Sequence, residues 1–418
     1  MRKSRKESGA PVTSATANER PSETVAPAPR AAATLIYVPG LGHDKLNSAE
    51  VVARSLARTG SEYGDPLTIS VERLPAVTAG LTIVASIARG DSRLVDVAEL
   101  DYREALEGLV RANDAEGREG VAPGLLVQGL YALRGLGLSI AAWRRKSKSP
   151  AAKFQLFLGT LGAVTLFGTF LLTLVGLVTT LLMAWDIKIP EWLSSSAPWV
   201  ASIGGAVSAA TLTSARSNLF RAGRRIQQLL RYFHEEQKRN ILSAQLRRAV
   251  DTLRESDYVG DIHVIAYSFG SVVALDTFTY HGPQRAIPDG VAGATSLVTI
   301  GCPHDFVRLF LPKHYDGRRA HRTELPWDNV FVASDVFGSN FTADKSDTKA
   351  DQSTAFDMRV NNHRHLPQEE LTGWRVFLGV GLRRHNVYWD DADGCWAPLL
   401  AGWGLTKASA ASNETAKA

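Results

Sequence analysis

The chain of 418 residues contains only two cysteines, Cys302 and Cys395. Two cysteines cannot form the dense disulfide framework of a small secreted domain, so a reducing compartment is the simpler expectation. The basic residues near the N-terminus are followed by no apolar segment of the kind that a secretory signal peptide requires. We therefore expect no secretion by that route.

The sequence also lacks a strong excess of charge of one sign. Lysine and arginine number 47 and aspartate and glutamate 42, which gives a formal net charge of +5. This balance is too mild and too scattered for a nucleic-acid-binding surface, and no alternation of basic and aromatic residues accompanies it. The sequence therefore predicts no nucleic-acid partner. It also shows no internal repeat of fixed period.

The most informative segment is DIHVIAYSFGSVVALD, residues 261–276. An apolar strand pattern leads into Ser268, and an apolar helix pattern follows it. A serine on such a tight turn raises its hydroxyl above the sheet, provided that the residues two before and two after it are small. Ala266 and Gly270 meet that condition. A helix that begins after the serine also directs its first amides toward the place where an oxyanion would form.

These residues match the G-x-S-x-G nucleophile elbow at every position but the first, and the chain resembles the lipase-like bacterial members of the α/β-hydrolase superfamily. The resemblance implies an α/β fold with a doubly wound, mostly parallel sheet and a triad in the order Ser, Asp/Glu, His. It also implies that the loop Pro39-Gly40-Leu41-Gly42, after the apolar strand of residues 34–38, helps to form the oxyanion hole. Phe269 would then supply one backbone donor, and Leu41 or Gly42 the other. Family members often have His-Gly in place of Pro39-Gly40, which leaves open which amide points inward.

Three aspartates are candidates for the triad acid. Asp335 follows an apolar run that begins at Asn329, and catalytic groups in open α/β sheets collect at the carboxyl ends of strands. Asp305 lies in a turn that resembles the family's T-x-G-S-P-x-D segment, with Cys302 in place of the serine. Asp328 is the third candidate. The sequence favours Asp335.

The histidine should come last, on a loop from which it can reach both the serine and the carboxylate. His385 begins a segment that resembles the family's H-x-x-Y-W ending, and it follows a predicted strand at residues 375–380. His363 and His365 compete with it, but their polar surroundings favour a solvated loop. A metal site formed by those two with His321 lacks the usual ligand spacing. The sequence favours His385, and neither a metal nor a cofactor is expected.

The second major feature is an uncharged run over residues 154–185, longer than the roughly 20 apolar residues that cross a bilayer. A second uncharged run covers residues 192–215, and the short segment 186–191 separates the two. We expect a transmembrane helical hairpin, with spans at about residues 156–185 and 194–215. The second run contains small residues at spacings that allow close helix packing: Gly204, Gly205, Ser208 and Ala209.

Basic residues flank both outer ends of this predicted hairpin. They are Arg144, Arg145, Lys146, Lys148 and Lys153 before it, and Arg216, Arg221, Arg224 and Arg225 after it. Positively charged segments stay on the cytoplasmic side of a membrane. We therefore expect a multi-pass protein of the inner membrane with the catalytic domain and both termini in the cytoplasm.

The predicted organisation is one hydrolase core interrupted by a membrane insertion. The core comprises residues 34–142 and 217–404, the insertion residues 143–216, and the tails 1–33 and 405–418 are expected to be disordered. Within the core, residues 124–143 are predicted to form a helix that packs on the core or lies at the membrane as a lid. Residues 218–256 should form a long charged helix or a helix pair.

The expected function is that of a membrane-anchored serine hydrolase that cleaves a lipid or other acyl ester through Ser268, His385 and Asp335. An acyltransferase or thioesterase with the same triad is the nearest alternative. A catalytically silent, membrane-tethered interaction protein is the rival from another class, because a fold alone does not determine a function.

Overall fold

The structure is a computed structural model of the chain. It describes residues 31–41, 48–62, 64–73, 80–102, 121–144, 231–255, 260–283, 287–332, 337–342, 352–365, 387–389 and 396–406, with a few positions between them, among them 335 and parts of 153–171. Gly42, the predicted strand 375–380, His385, Cys395 and most of the predicted hairpin lie outside the described residues.

In the part of the chain that the structure describes, nine strands form one large sheet, in the order β10-β11-β9-β7-β5-β1-β4-β3-β2. The strands in the described residues are β1 Ala33–Val38, β2 Thr68–Arg73, β3 Leu81–Arg89, β4 Ser92–Leu100, β5 Asp261–Tyr267, β6 Thr279–His281, β7 Ser296–Ile300, β8 Arg318–Ala320, β9 Trp327–Phe331, β10 Gln352–Ala355 and β11 Met358–Arg364. The short strands β6 and β8 pair with each other in a separate antiparallel ribbon.

The centre of the large sheet is parallel. Strands β11, β9, β7, β5, β1 and β4 pair in parallel, while β3, β2 and β10 add antiparallel edges. Strands β1 and β7 are buried along their whole length, as continuous apolar strands covered on both faces should be. The predicted α/β class with a mostly parallel sheet is confirmed.

Helices cover both faces of this sheet. Among the described residues, the helices with defined bounds are α1 Ala49–Glu62, α2 Val121–Arg144, α3 Glu236–Glu255, α4 Phe269–Phe278, α5 Asp289–Ala292, α6 His304–Phe310 and α7 Ala397–Gly402. Helices α3 and α4 pack with Ile36 and Val38 on one face. Helices α1 and α7 pack with Leu35 and Tyr37 on the other, as the alternation of side chains along a strand requires.

The predicted helix before the elbow is confirmed in its second half. In α3, Leu242, Leu246, Val250 and Leu253 are buried, at the helical spacing read from the sequence. The helix breaks at Glu235, where residues 231–234 form a separate helical turn. A helix pair is therefore the better description of this part of the chain.

The two sides of the predicted insertion meet in one sheet. Strand β1 pairs with β4, which precedes the insertion, and with β5, which follows it. Ile36 lies opposite Val264, and Val38 lies opposite Ala266. Residues 33–100 and 261–267 therefore belong to a single structural unit.

The ends of the core differ slightly from the expected boundaries. Ala33 already belongs to β1, and the Ala32 N–H donates to the Leu94 carbonyl at 2.9 Å. At the other end, Leu405 is fully buried and its N–H bonds to the Leu400 carbonyl at 2.9 Å. Burial and backbone pairing extend the core beyond both boundaries, to residues that composition assigned to the tails.

Within the described part of the chain, no helix has the length and apolarity that crossing a bilayer demands. The second predicted span and the turn at 186–191 lie outside that part. Helix α2 is present where a helix was predicted, and it packs through Ala142 against Leu156 and Phe310. The described side chains also include exposed apolar ones on α2 and on residues 153–171: Leu133, Ile140, Trp143, Phe157, Leu161, Val164 and Leu171.

Candidate functional site

Ser268 stands between β5 and α4 with a backbone conformation that side chains rarely adopt. Its φ is 55° and its ψ is −121°. A non-glycine residue held outside the favoured regions costs about 1–3 kcal/mol, and such residues gather at functional sites. The Ser268 N–H donates to the Ile300 carbonyl at 2.8 Å, and the Ser268 carbonyl accepts from Ser271 N–H at 3.0 Å. The turn is therefore held from both sides, with the serine only partly buried.

Gly270, two residues after the serine, must lack a side chain because the end of strand β1 passes close to it. A Cβ built on Gly270 would lie 2.2 Å from the Val38 carbonyl oxygen and 2.6 Å from the Pro39 carbonyl oxygen. Both atoms belong to the backbone of the central sheet and its loop, so neither can yield easily. This contact is the physical reason for glycine at the fifth position of the pentapeptide.

We expect Gly270→Ala to destabilise the protein by at least about 3 kcal/mol, because the new methyl group overlaps a backbone that cannot move. Thermal unfolding followed by circular dichroism measures the effect. Gly402→Ala is the matched control, since a Cβ at that helical position meets no atom within 4 Å. An unchanged unfolding temperature for Gly270→Ala would show that α4 does not approach β1 this closely.

The loop after β1 lies directly beside the serine. A Cβ on Gly40 would lie 3.1 Å from the Ser268 Cβ and 3.5 Å from its Oγ. The Tyr102 hydroxyl donates to the Pro39 carbonyl at 2.5 Å and so fixes the start of the loop. Leu41 is partly buried against the core. Of the two predicted oxyanion donors in this loop, Leu41 is described, whereas Gly42 lies outside the described residues.

Phe269, the other predicted donor, opens α4. The first N–H groups of a helix have no acceptor within the helix, so they are available to a ligand. The Phe269 side chain is buried, and its ring packs edge-on against Tyr232 at 4.8 Å and near Tyr102 at 6.2 Å. These contacts anchor the residue whose amide stands beside the serine.

Asp335 is buried near the carboxyl edge of the sheet, with 1% of its surface exposed. It lies four residues past the end of β9, which stops at Phe331, so the strand is shorter than the apolar run suggested. One carboxylate oxygen, Oδ2, accepts from the Tyr388 hydroxyl at 2.7 Å, and Oδ1 accepts from the Phe337 N–H at 2.9 Å. These two donors stabilise a carboxylate in a buried setting.

Tyr388 connects this carboxylate to the elbow. Burial, and then the charge and hydrogen bond of Asp335, raise the pKa of Tyr388 well above its usual value, so its hydroxyl remains a donor. The same hydroxyl accepts from the Val332 N–H at 3.1 Å. The Tyr388 and Trp389 rings lie 6.2 and 6.0 Å from that of Tyr267, the residue before the serine. The turn Val387–Trp389 therefore spans the distance between Ser268 and Asp335.

The other two candidate carboxylates have different partners. Asp305 lies in the first turn of α6, and its Oδ1 is 3.2 Å from His304 Nδ1. Asp328 lies within β9, where its Oδ1 is 2.9 Å from His363 Nε2 and accepts from Asn361 Nδ2 at 3.3 Å. Asp328 and His363 thus form a cross-strand pair on the body of the sheet rather than at its edge.

The prediction that His363 and His365 lie in a solvated loop is wrong. His363 belongs to β11, and His365 follows it with 1% of its surface exposed. The His365 N–H donates to the Phe331 carbonyl at 2.8 Å, and its ring stacks 6.1 Å from that of Tyr388. Pairing with β9 makes this polar segment a strand whose residues are buried at alternate positions. His365 consequently lies near the Tyr388 hydroxyl that binds Asp335.

Cys302 lies just past β7 but is not a second nucleophile. It is fully buried, and burial raises the pKa of its thiol far above the usual range, so the reactive thiolate does not form. Among the described residues, no three His, Cys, Asp or Glu side chains are grouped so that they could hold a metal ion.

The sequence did not single out two residues that organise this site, Tyr102 and Tyr388. Tyr388 was visible within the H-x-x-Y-W segment, but its role as a donor to Asp335 depends on a contact between residues 53 positions apart. Tyr102 had no local signal, since it reaches the Pro39 carbonyl from 63 positions away.

Comparison of the chain with protein-family models found no match, and searches of the curated proteins and of the solved structures found none either.

Proposed function

We propose that this protein is a membrane-anchored serine hydrolase of the α/β-hydrolase type, which cleaves a lipid or other acyl ester through an acyl-enzyme. The observation that carries the proposal is the strained Ser268, at φ 55°, held between a central parallel strand and the helix α4 with Gly40 beside its hydroxyl. An ordinary strand-to-helix turn needs neither the strain nor the close approach of two backbones.

In the proposed reaction, Ser268 Oγ attacks the ester carbonyl while His385 takes its proton and later gives it to the leaving alcohol. Water then attacks the acyl-enzyme by the same route in reverse. Asp335 orients the imidazole and stabilises its charged form. The backbone amides of Phe269 and of Leu41 or Gly42 hold the oxyanion, and each such donor is worth roughly 3 kcal/mol.

The chain geometry supports His385 as the base. His385 stands two positions before Val387, and two steps along the chain span at most about 7 Å between Cα atoms. Val387–Trp389 lies against both Tyr267 and Asp335. His365, by contrast, follows β11, which is three strands away from β5, or about 14 Å at the usual strand spacing.

The pairing of strands in the same sheet limits how many times the proposed insertion can cross a membrane. Strands β4 and β5 both pair with β1, so the chain that leaves after β4 must return to the same side of any membrane before β5. A sheet cannot be completed across a bilayer, because unpaired backbone groups in hydrocarbon are costly. An insertion that enters the membrane must therefore cross it an even number of times, as a hairpin does.

We expect reporters fused to either terminus to appear in the cytoplasm. A cysteine introduced between residues 186 and 191 should react with a membrane-impermeant reagent added from outside. A cysteine at the exposed Arg359 of β11 is the matched control and should be protected until the membrane is opened. Termini on opposite sides would refute both the hairpin and the single catalytic domain.

The experiment that tests the proposed chemistry is labelling of the detergent-solubilised full chain with a fluorophosphonate probe. Such probes react with serines activated by a neighbouring base. We expect one labelled site per chain and competition by acyl esters. Absence of labelling in a folded sample would favour the silent interaction protein, and labelling with transfer of the acyl group to an acceptor other than water would favour an acyltransferase.

A further inference from the structure

A cavity of about 420 Å³ lies between α2, the break before α3 and the end of α6, and neither Ser268 nor Phe269 lines it. Its polar wall carries Arg239, Lys313 and Arg318 together with three imidazoles, those of His234, His281 and His314. Asp276 of α4 lies behind this wall, eight residues after Ser268, or about 12 Å along a helix. The cavity is therefore separate from the serine hydroxyl.

The one buried carboxylate behind the cavity is already neutralised. Asp276 Oδ1 lies 2.6 Å from Arg318 Nη1 and 3.1 Å from His314 Nε2, and its Oδ2 accepts from the Tyr232 hydroxyl at 2.6 Å. Burial acts to raise the pKa of this carboxyl, but the hydrogen bond and charge of His314, with Arg318 and Tyr232, outweigh it and lower the pKa. The aspartate therefore balances Arg318 and leaves the charges of Arg239 and Lys313 in excess.

Arg239 is held at the wall by the backbone. Its Nη1 donates to the Phe233 carbonyl at 2.6 Å and to the Tyr232 carbonyl at 3.4 Å. A guanidinium fixed in this way is suited to the oxygens of a phosphate, which it can bind in a forked geometry. The nearby Glu235 carboxylate lies 2.7 Å from Lys238 Nζ.

His234 adds a donor that the protein itself does not use. Arg134 Nη2 lies 2.7 Å from His234 Nδ1, and a guanidinium only donates, so the neutral ring carries its proton on Nε2. Burial, followed by the charges of Arg134 and Arg239, lowers the pKa of His234 and keeps the ring neutral. The Nε2 atom is buried and has no hydrogen-bond partner among the described residues. A buried donor without an acceptor is costly. Because Nε2 has almost no exposed surface in this structure, an anionic oxygen in the cavity would become that acceptor once the ring turned toward it.

Apolar side chains line the same cavity: Leu138 of α2, Phe233, and Phe310 and Leu311 at the end of α6. Helix α2 also carries the exposed apolar side chains Ile140 and Trp143, on other faces of the helix than Leu138. A ligand that fills this cavity thus needs an anionic end and an apolar end.

We propose that this cavity binds the phosphate group of an anionic amphiphile, with the phosphate between Arg239, Lys313 and His234 and the acyl part along α2. Binding of the phosphate group does not depend on the catalytic triad. The proposal that a membrane lipid carries this phosphate rests on the proposed hairpin, which would bring the cavity to the level of the lipid headgroups.

The test is a binding titration with the detergent-solubilised full chain in the Ser268→Ala background, so that hydrolysis cannot alter the ligand. Dioctanoyl phosphatidic acid is the anionic probe, and dioctanoyl phosphatidylcholine is the zwitterionic control with the same chains. Inorganic phosphate and glycerol 3-phosphate form a second arm that distinguishes a free phosphate from a lipid headgroup. We expect saturable binding of the phosphatidic acid and much weaker binding of the other three probes.

Lys313→Gln should weaken the binding of phosphatidic acid about tenfold, the loss expected for one charge-assisted hydrogen bond. Lys313 is exposed, so this change should not affect folding. Arg239→Gln combined with Lys313→Gln should weaken binding further, whereas Arg359→Gln, the same loss of charge on β11, should leave it unchanged. Binding of phosphatidylcholine as tight as that of phosphatidic acid, or a loss of binding in Arg359→Gln as large as in Lys313→Gln, would refute the proposed phosphate site. Binding of inorganic phosphate as tight as that of phosphatidic acid would refute the proposal that the ligand is an amphiphile.

Discussion

Ser268→Ala is expected to abolish ester hydrolysis and fluorophosphonate labelling, with a loss of about 10⁶-fold in kcat, as removal of a serine nucleophile causes elsewhere. The substitution removes the attacking oxygen and leaves the oxyanion donors in place. Turnover of a chromogenic short-chain ester and labelling on a gel measure the two effects. Ser70→Ala, at an exposed serine on β2, is the matched control and should retain both.

The fold should survive this change, because alanine meets the same backbone strain as serine at φ 55°. Ser268→Gly should be equally inactive but more stable than the wild type by about 1 kcal/mol, since glycine adopts a positive φ without strain. A glycine variant that is inactive and more stable would show that the strain serves the site. Labelling that persists in Ser268→Ala would exclude this serine as the nucleophile.

Asp335→Asn should reduce kcat/KM for the same ester by about 10⁴-fold, the loss seen when the carboxylate of a serine triad is replaced. His385→Ala should reduce it by about 10⁶-fold, as loss of the triad histidine does elsewhere. Asparagine keeps the size of the side chain and one acceptor for the Tyr388 hydroxyl, so the loss should come from the misoriented imidazole rather than from unfolding. Full kinetic curves at fixed pH, with unfolding temperatures measured in parallel, separate the two causes.

The alternative residues provide the controls. Asp305→Asn, Asp328→Asn and His363→Ala should cost much less activity, because Asp328 and His363 pair with each other within the sheet and Asp305 lies beside His304 on α6. His365→Ala should also cost less, although its ring packs on Tyr388. A greater loss in Asp305→Asn would move the acid to the loop after Gly301. A greater loss in His365→Ala than in His385→Ala would move the base to the end of β11.

Local patterns in the sequence were sufficient for the elements that lead to the serine. Strands β1 and β5 and helix α4 are strongly apolar, short and bounded by turn residues, and the structure has them where the sequence predicted them. The requirement for a small residue at position 270 was also predictable, because it follows from the geometry of any strand that turns sharply into a helix. Its partner, the Val38 carbonyl, was not.

The carboxyl-terminal part of the sheet was harder to predict. Strand β11 has the sequence MRVNNHR, whose polar residues indicated a loop. Its strand conformation depends on hydrogen bonds to β9, which lies earlier in the chain, and to β10, with which it forms a tight hairpin. Polar side chains are buried there because they pair with one another, as Asn362 does with Asn329 at 2.9 Å. Composition carries no record of such pairing.

The sequence by itself determined the candidate nucleophile and the α/β class, because each depends on residues adjacent along the chain or on the apolar pattern of one element. It also predicted that the chain returns to the same sheet after the long apolar insertion, because apolar strand patterns lie on both sides of it. The tertiary structure alone decided the order of the nine strands, the pairing of Asp328 with His363 and the bonding of the Tyr388 hydroxyl to Asp335. These contacts join residues 35 and 53 positions apart. Burying these polar groups is favourable only where a hydrogen-bond partner is in place. The packing of the whole sheet decides which residue becomes that partner.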